Sequence, residues 1–237
     1  IPARLAATRL PNKPLIMING KSMIYHVWER ACESNLGKVI VATDSKEIQK
    51  VIEDHGGTAC LTSMDHQSGT DRIFEALQKY DNENKIEYII NLQGDLPNID
   101  TQSLTAVLKL LENKKVNIGT LVVRINNETD LNKSQIVKAL CMFQENERNT
   151  KALDFQRLPK DNSIKNLYHH IGIYSYTRES LSRFVNLDQT KRERDEKLEQ
   201  LRALGNNMYI EAGLIDFLPL GVDTLEDLEA IKDLMRK

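Results

Sequence analysis

Cysteine is scarce in this chain: three in 237 residues, Cys32, Cys60 and Cys141. They are widely spaced, odd in number and form no C-x-x-C pair. This argues against a zinc knuckle or a disulfide framework and for a reducing compartment, the cytosol. An excess of one charge is missing too. Lys and Arg number 32 against 34 Asp and Glu, a formal net charge of −2, so no basic surplus points to nucleic acid or an anionic membrane. No apolar run approaches the ~18 residues of a membrane span. Nothing at the opening residues reads as a signal peptide. The sequence opens at Ile1-Pro2, and if a first strand precedes the Arg4 loop, most of it lies ahead of Ile1. Internal repeats, low-complexity linkers, a Ser/His/Asp nucleophile signature and an H-E-x-x-H motif are all lacking. What is present is 41% hydrophobic and 28% charged, the balance of a globular chain long enough to bury a core without staples.

The first half alternates strand-like and helix-like segments. Residues 38–43 form a β-branched apolar run, a buried strand. The segment 45–55 reads as a helix, with Ser45 as N-cap, Ile48, Val51 and Ile52 on one face and Gly56-Gly57 as its stop. Further helices are expected over 22–35, 70–80 and 101–112, and strands over 58–61 and 87–92. Such alternation predicts βαβ units and a mostly parallel sheet, with ligands outside the carboxyl ends of the strands. That rule selects the Arg4–Lys13 loop, the segment after Leu61 and the Gln93-Gly94-Asp95 turn. The second half reads differently. Longer strands are expected over 117–123, 136–143 and 168–176, polar connections over 146–150 and 159–166, and helices over 193–204 and 225–235. The change near 124–135 marks a β-rich subdomain inserted into or packed on the α/β core.

Three constellations carry chemistry. Arg4, Arg9 and Lys13 place three cations ahead of the first acid, Glu29; a triphosphate site needs such cations, a solvated basic loop fits the charge equally well, and the loop is not a Walker A sequence. Asp95 ends a strand, where a carboxylate can hold Mg²⁺, and Asp223 precedes the last helix. Each alone reads more simply as a turn or capping residue, and together they are a candidate metal pair. Ser68, with Asp71 three residues on, resembles a capping box at a helix N-terminus that also presents N–H groups to a ligand. Of His169 and His170, neighbours on a strand, at most one serves a given site. The run 191–197 reads as a solvated helical face with pairs such as Glu193–Lys197.

These motifs, taken in order, resemble those of 3-deoxy-manno-octulosonate (Kdo) cytidylyltransferases, the CMP-Kdo synthetases of lipopolysaccharide assembly in Gram-negative bacteria. The resemblance is carried by IPAR-x-A-x-TRLP-x-KPL at 1–15, ATD at 42–44, DHQSGTDR at 65–72 and N-x-QGD-x-P at 91–97. It continues through H-x-GIY at 170–174, LEQLR at 198–202 and GVDT at 221–224. It implies the reaction CTP + Kdo → CMP-Kdo + pyrophosphate in the cytoplasm, a Mg²⁺ requirement and a homodimer. It also implies a nucleotide-diphospho-sugar-transferase-like, Rossmann-like α/β fold: a mostly parallel sheet flanked by helices, with a smaller β-rich subdomain. Residues 1–124 and 205–237 would form the nucleotide-binding core, and 125–204 the sugar-binding and dimerisation part. By the same resemblance Ala3, Arg4, Arg9 and Lys13 would hold the triphosphate, and Ser68, Gly69, Thr70 and Arg72 would line the cytidine side. Asp95 and Asp223 would bind Mg²⁺, and Gln93, Arg157, His170, Tyr174, Glu199 and Gln200 would contact the sugar acid. Arg4, Lys13, Asp95 and Asp223 would carry the chemistry. Departures cluster on the sugar side: Leu96 follows the QGD aspartate where the family usually has Glu, Gln156 replaces Ser in F-S-R, and Lys191-Arg192 replaces a proline-containing turn. They keep open another sugar-acid acceptor, sialic acid or 8-amino-Kdo, or a CTP-binding protein without catalysis.

Overall fold

The computed structural model describes residues 1–5, 10–159 and 163–236. In chain order its early elements are β1 (Pro2–Ala3), β2 (Met17–Ile18), β3 (Lys21–Ser22), α1 (Met23–Glu33), β4 (Ile40–Thr43), α2 (Lys46–Glu53), β5 (Thr58–Leu61) and α3 (Gly69–Tyr80). Then come β6 (Tyr88–Leu92), α4 (Thr101–Lys109), β7 (Ile118–Arg124), β8 (Lys138–Cys141), β9 (Asn149–Gln156) and β10 (Leu167–Thr177). The last are α5 (Arg178–Val185), α6 (Lys191–Glu196), α7 (Gln200–Gly205), β11 (Ile210–Leu214) and α8 (Leu225–Leu234). The chain divides into two compact units, one of residues 1–86, 91–105 and 219–237, the other of 87–90 and 106–218.

The first unit is built on a parallel three-stranded sheet in the order β1-β4-β5. Its strands are short because each carries only four residues or fewer of β-branched or small apolar sequence between polar breakers. Helices start where the sequence supplies caps. The Ser45 hydroxyl accepts from Glu47 N–H at 3.1 Å and Ile48 N–H at 3.2 Å, and Ser68 accepts from Asp71 N–H at 3.1 Å. Thr224 and Asp227 form a reciprocal capping box ahead of α8. Asn19 and Gly20, with φ of 48° and 90°, close the tight β2–β3 hairpin, a turn that needs positive φ at both positions. Leu10, Ile18, Met23, Val222, Leu228 and Ile231 pack into one buried cluster, which draws the segment before α8 onto the amino-terminal loop.

The second unit holds a six-stranded sheet in the order β6-β10-β7-β11-β9-β8, with β8 also paired to β10. Pairing is antiparallel for β10–β7, β11–β9, β8–β9 and β10–β8 and parallel for β11–β7. A β-rich part is present, as expected, and its sheet takes in β6, β7 and β11 from outside residues 125–204.

Three local expectations are corrected. The helix expected over 193–204 is two short ones, because Lys197 turns left-handed (φ 53°) and ends α6. Glu193 does not pair with Lys197 on a wet face: it is 5% exposed and paired with Arg202, itself 3% exposed. The polar connection expected over 146–150 already enters β9 at Asn149; its inward residues Ala152 and Phe155 are fully buried while Asn149 and Lys151 stay wet.

Candidate active site

Four segments of the first unit line one cleft of about 350 Å³, the stretch before α8 supplying Asp223. Gly94 permits the approach of the turn after β6, since a Cβ there would lie 3.0 Å from the Pro2 carbonyl oxygen. Gly69, opening α3, would bring a Cβ to 3.1 Å from the Pro2 ring. The amino-terminal loop, the Gln93-Gly94-Asp95 turn and the α3 N-terminus can therefore meet only with small residues at those positions. The cleft is lined by the cations Arg4, Lys13 and Arg72, by the carboxylates Asp95 and Asp223, and by Ala3, Ser68, Gly69 and Gln93. Thr70 lies beneath it: fully buried, its hydroxyl accepts from Asn91 Nδ2 at 3.2 Å and ties α3 to the end of β6. Arg9 lies outside the described residues. Arg72 is held in place by donating to Thr62 Oγ1 at 2.6 Å and Asp44 Oδ2 at 2.7 Å. His66 and Gln67 also line the cleft and were not among the expected site residues. Their signal was their place inside DHQSGTDR. His66 is paired with Glu75, whose pKa is driven to about 2: burial pushes it up, but Lys79, the Ser63 N–H and His66 outweigh that.

Lys13 is the centre of the charge arrangement. It opens a single 3₁₀ turn after Asn12, whose φ of 55° redirects the loop. Its Nζ donates to Asp95 Oδ2 and to Asp223 Oδ1, both at 2.8 Å, across 82 and 210 sequence positions. Burial pulls its pKa down, but the charges and hydrogen bonds of the two carboxylates prevail and the net shift is upward, so the ammonium is kept. Two carboxylates brought to one point suit a hard divalent cation, which takes one or two carboxylates and completes its shell with water and phosphate oxygens. Among the described residues no cluster of three or more His, Cys, Asp or Glu could hold a metal. The donor set therefore fits an ion shared with a phosphate ligand rather than one caged by protein.

The second unit gathers His170, Tyr174, Glu199 and Gln200. His170 is buried, and its Nε2 lies 2.9 Å from the Thr120 hydroxyl, which itself donates to Ile173 O at 2.8 Å. The imidazole thus donates from Nε2. Burial, then the charge of His169, holds its pKa down to about 3. The Tyr174 hydroxyl donates to Gln200 Oε1 at 3.4 Å, and burial followed by the Glu199 charge raises the phenol's pKa. The rings of His170 and Tyr174 are 5.6 Å apart. Arg157 belongs to the same unit. It donates to Glu196 O at 2.8 Å, Ser134 O at 3.1 Å and Lys197 O at 3.2 Å, which closes the end of α6. Its own carbonyl accepts from the fully buried Lys138, whose ammonium also reaches Lys133 O and Ile136 O. Lys138 was missed because a lysine in a strand pattern reads as surface.

A family model described as cytidylyltransferase matches residues 1–211. The 3-deoxy-manno-octulosonate cytidylyltransferase of Paramagnetospirillum magneticum is 46% identical over 236 residues, covering 100% of this chain and 96% of the relative. That of Brucella suis is 47% identical over 229 residues, covering 97% and 91%. Among solved structures, a CMP:2-keto-3-deoxy-manno-octonic acid synthetase complexed with CTP superposes with a TM-score of 0.87 at 34% identity, covering 99% of this chain and 96% of that one. An apo UDP-glucose pyrophosphorylase, at 16% identity and a TM-score of 0.65, shares the nucleotidyltransferase-like α/β fold.

Proposed function

The chain belongs to the cytidylyltransferase family, and from that premise we propose which of its residues carry the reaction. The reaction is transfer of CMP from CTP to the anomeric hydroxyl of Kdo, giving CMP-Kdo and pyrophosphate for lipopolysaccharide biosynthesis. The observation that carries the reading is the convergence of Lys13, Asp95 and Asp223 in a cleft flanked by Arg4 and the N-terminus of α3.

The sugar hydroxyl attacks the α-phosphorus in line and pyrophosphate leaves, so the protein's task is positioning and charge neutralisation. Arg4 and Lys13, with Arg9 in the same loop, hold the triphosphate and the departing pyrophosphate. Ser68, Gly69 and Arg72 face the cytidine, with Thr70 bracing the turn. Asp95 and Asp223 hold the divalent cation, which we take to be Mg²⁺. When bound there, the ion neutralises the α-phosphate and makes the attacking hydroxyl more acidic. In the first unit Gln93 is our candidate for a sugar contact, and in the second His170, Tyr174, Glu199 and Gln200 are. Arg157 takes the sugar carboxylate: a guanidinium has five N–H donors, and its bonds to Ser134 O and Lys197 O are exposed, so a carboxylate can compete for them. A cytoplasmic homodimer completes the proposal, and light scattering that returned a single chain mass would remove the dimer.

The deciding assay is pyrophosphate release from CTP with Mg²⁺, offering Kdo, 8-amino-Kdo and then a sialic acid. Kdo-dependent release abolished by EDTA is expected. Release with another sugar acid alone would reassign the acceptor. CTP binding without release on any acceptor would turn the chain into a binding protein.

A further inference from the structure

The two carboxylates at Lys13 come from separate segments, and something must fix the distance between them. Neither segment is in a sheet: Asp95 sits in the turn after β6, and Asp223 ends an irregular stretch from 219 to 223. Two hydrogen bonds join these stretches. Val222 N–H donates to the Asp95 carbonyl at 3.0 Å. Leu220 N–H donates to the side-chain oxygen of Asn98 at 2.9 Å, across 122 positions. Residues 220 and 222 are two apart, so in extended chain their N–H groups point the same way and need two acceptors in a row. The main chain opposite supplies only the first. After Asp95 it turns, with Ile99 N–H donating to Leu96 O at 3.2 Å and Pro97 inside the turn, and it leaves the line that a second carbonyl would occupy. The Asn98 amide stands in for that carbonyl.

Its other end shows what the residue is there for. Asn98 Nδ2 is buried and finds no hydrogen-bond partner among the described residues. A buried amide nitrogen without a partner carries a desolvation cost, tolerated here together with a useful oxygen. Leu220 and Val222 meanwhile face the core formed around Leu10, Met23 and Leu228, which leaves Asp223 turned to the cleft. The core fixes the depth of the 219–223 stretch, and the two bonds fix its register along the Asp95 turn.

We propose that Asn98 is a positioning residue for the carboxylate pair: its side-chain oxygen completes the ladder that sets the separation of Asp95 and Asp223. The proposal rests on the metal-holding role given above to that pair. Groups that orient metal ligands without touching the metal commonly change affinity by about 10- to 100-fold when lost.

The test uses the full chain and four proteins: wild type, Asn98→Leu, Asn98→Ala and Asn98→Asp. The probes are Mn²⁺ binding by electron paramagnetic resonance without turnover, and the Mg²⁺ concentration giving half-maximal pyrophosphate release. Asn98→Leu keeps the branched shape and loses the acceptor; Asn98→Ala loses the acceptor without adding bulk, should the leucine fail to fold; Asn98→Asp keeps an acceptor in place. Both apolar variants should weaken Mn²⁺ binding by about tenfold and raise the half-maximal Mg²⁺ concentration in step, with KM for CTP at saturating Mg²⁺ changed less. Asn98→Asp should bind Mn²⁺ at least as well as wild type. The proposal fails if the apolar variants stay within about twofold of wild type, or if Asn98→Asp is impaired as much as they are. Wild-type protein that binds no Mn²⁺ would instead sink the metal assignment of Asp95 and Asp223 themselves.

Discussion

Asp223 offers the most direct residue-level test. Its side chain is 42% exposed and belongs to no core cluster, so Asp223→Asn should leave the melting temperature within a degree or so. Transfer should fall by about 100- to 1,000-fold, the scale of losing one preorganised electrostatic group. Pyrophosphate release near the wild-type rate would remove Asp223 from the metal pair. Asn is the right replacement because it keeps the shape and removes the charge that both Lys13 and a cation require. At this scale the sequence was informative where chemistry is written in short motifs. The cationic loop, the turn aspartate and the residue before the last helix were all legible, and the structure brings Lys13, Asp95 and Asp223 within one hydrogen-bonded group. Motif membership did not separate residues that face the cleft from those that support it. Thr70 shares its motif with Ser68 and Gly69, yet it is fully buried against Asn91, because one step along a helix rotates a side chain by about 100°. Asn98 gave no signal at all, since its partner lies 122 positions away.

At the scale of elements, the α6–α7 pair shows where periodicity reading stops. The run 191–197 is charged throughout, and no pattern within it tells which acid turns inward. The choice is made by Arg202, whose guanidinium takes both carboxylate oxygens of Glu193 at 2.7 to 3.1 Å and rests 4.8 Å from the Phe184 ring centre. Both side chains are nearly fully buried, at 4% and 6% exposure. Removing one partner leaves the other as an uncompensated buried charge, so Arg202→Met should cost about 3–5 kcal/mol. Chemical denaturation checks this. A loss below about 1 kcal/mol would mean that the pair is replaceable by simple packing. The double variant Arg202→Met with Glu193→Leu should recover part of the loss, because the stranded charge has gone. The β2–β3 hairpin is a second such case: its strands have two residues each, too few to show alternation, and it was not among the expected elements.

For the molecule as a whole, the buried His170 sets an acid limit. Its folded pKa is about 3 against an ordinary 6.5, so only the unfolded chain takes up the proton in between. The stability tied to this residue is therefore complete above about pH 6.5 and drains away as pH falls toward about 3. His170→Gln should abolish that part of the slope: the urea midpoints of wild type and variant should converge between pH 7.5 and 4.5, and a pH-independent gap would refute the assignment. The two halves of the chain differ in legibility for a physical reason. In the first, apolar runs alternate with helices, and β4 to β6 and α1 to α4 announce themselves locally. In the second, β9 and β11 are specified by pairing across 60 positions or so, as in Glu211 with Lys151, and their half-polar sequences carry little alternation of their own. The link from Lys13 to Asp223 spans 210 positions, almost the length of the chain. During synthesis the basic loop, α3 and Asp95 leave the ribosome long before Asp223 does. A chain stopped short of residue 223 thus holds Lys13 and Asp95 but lacks the second carboxylate to which Lys13 donates.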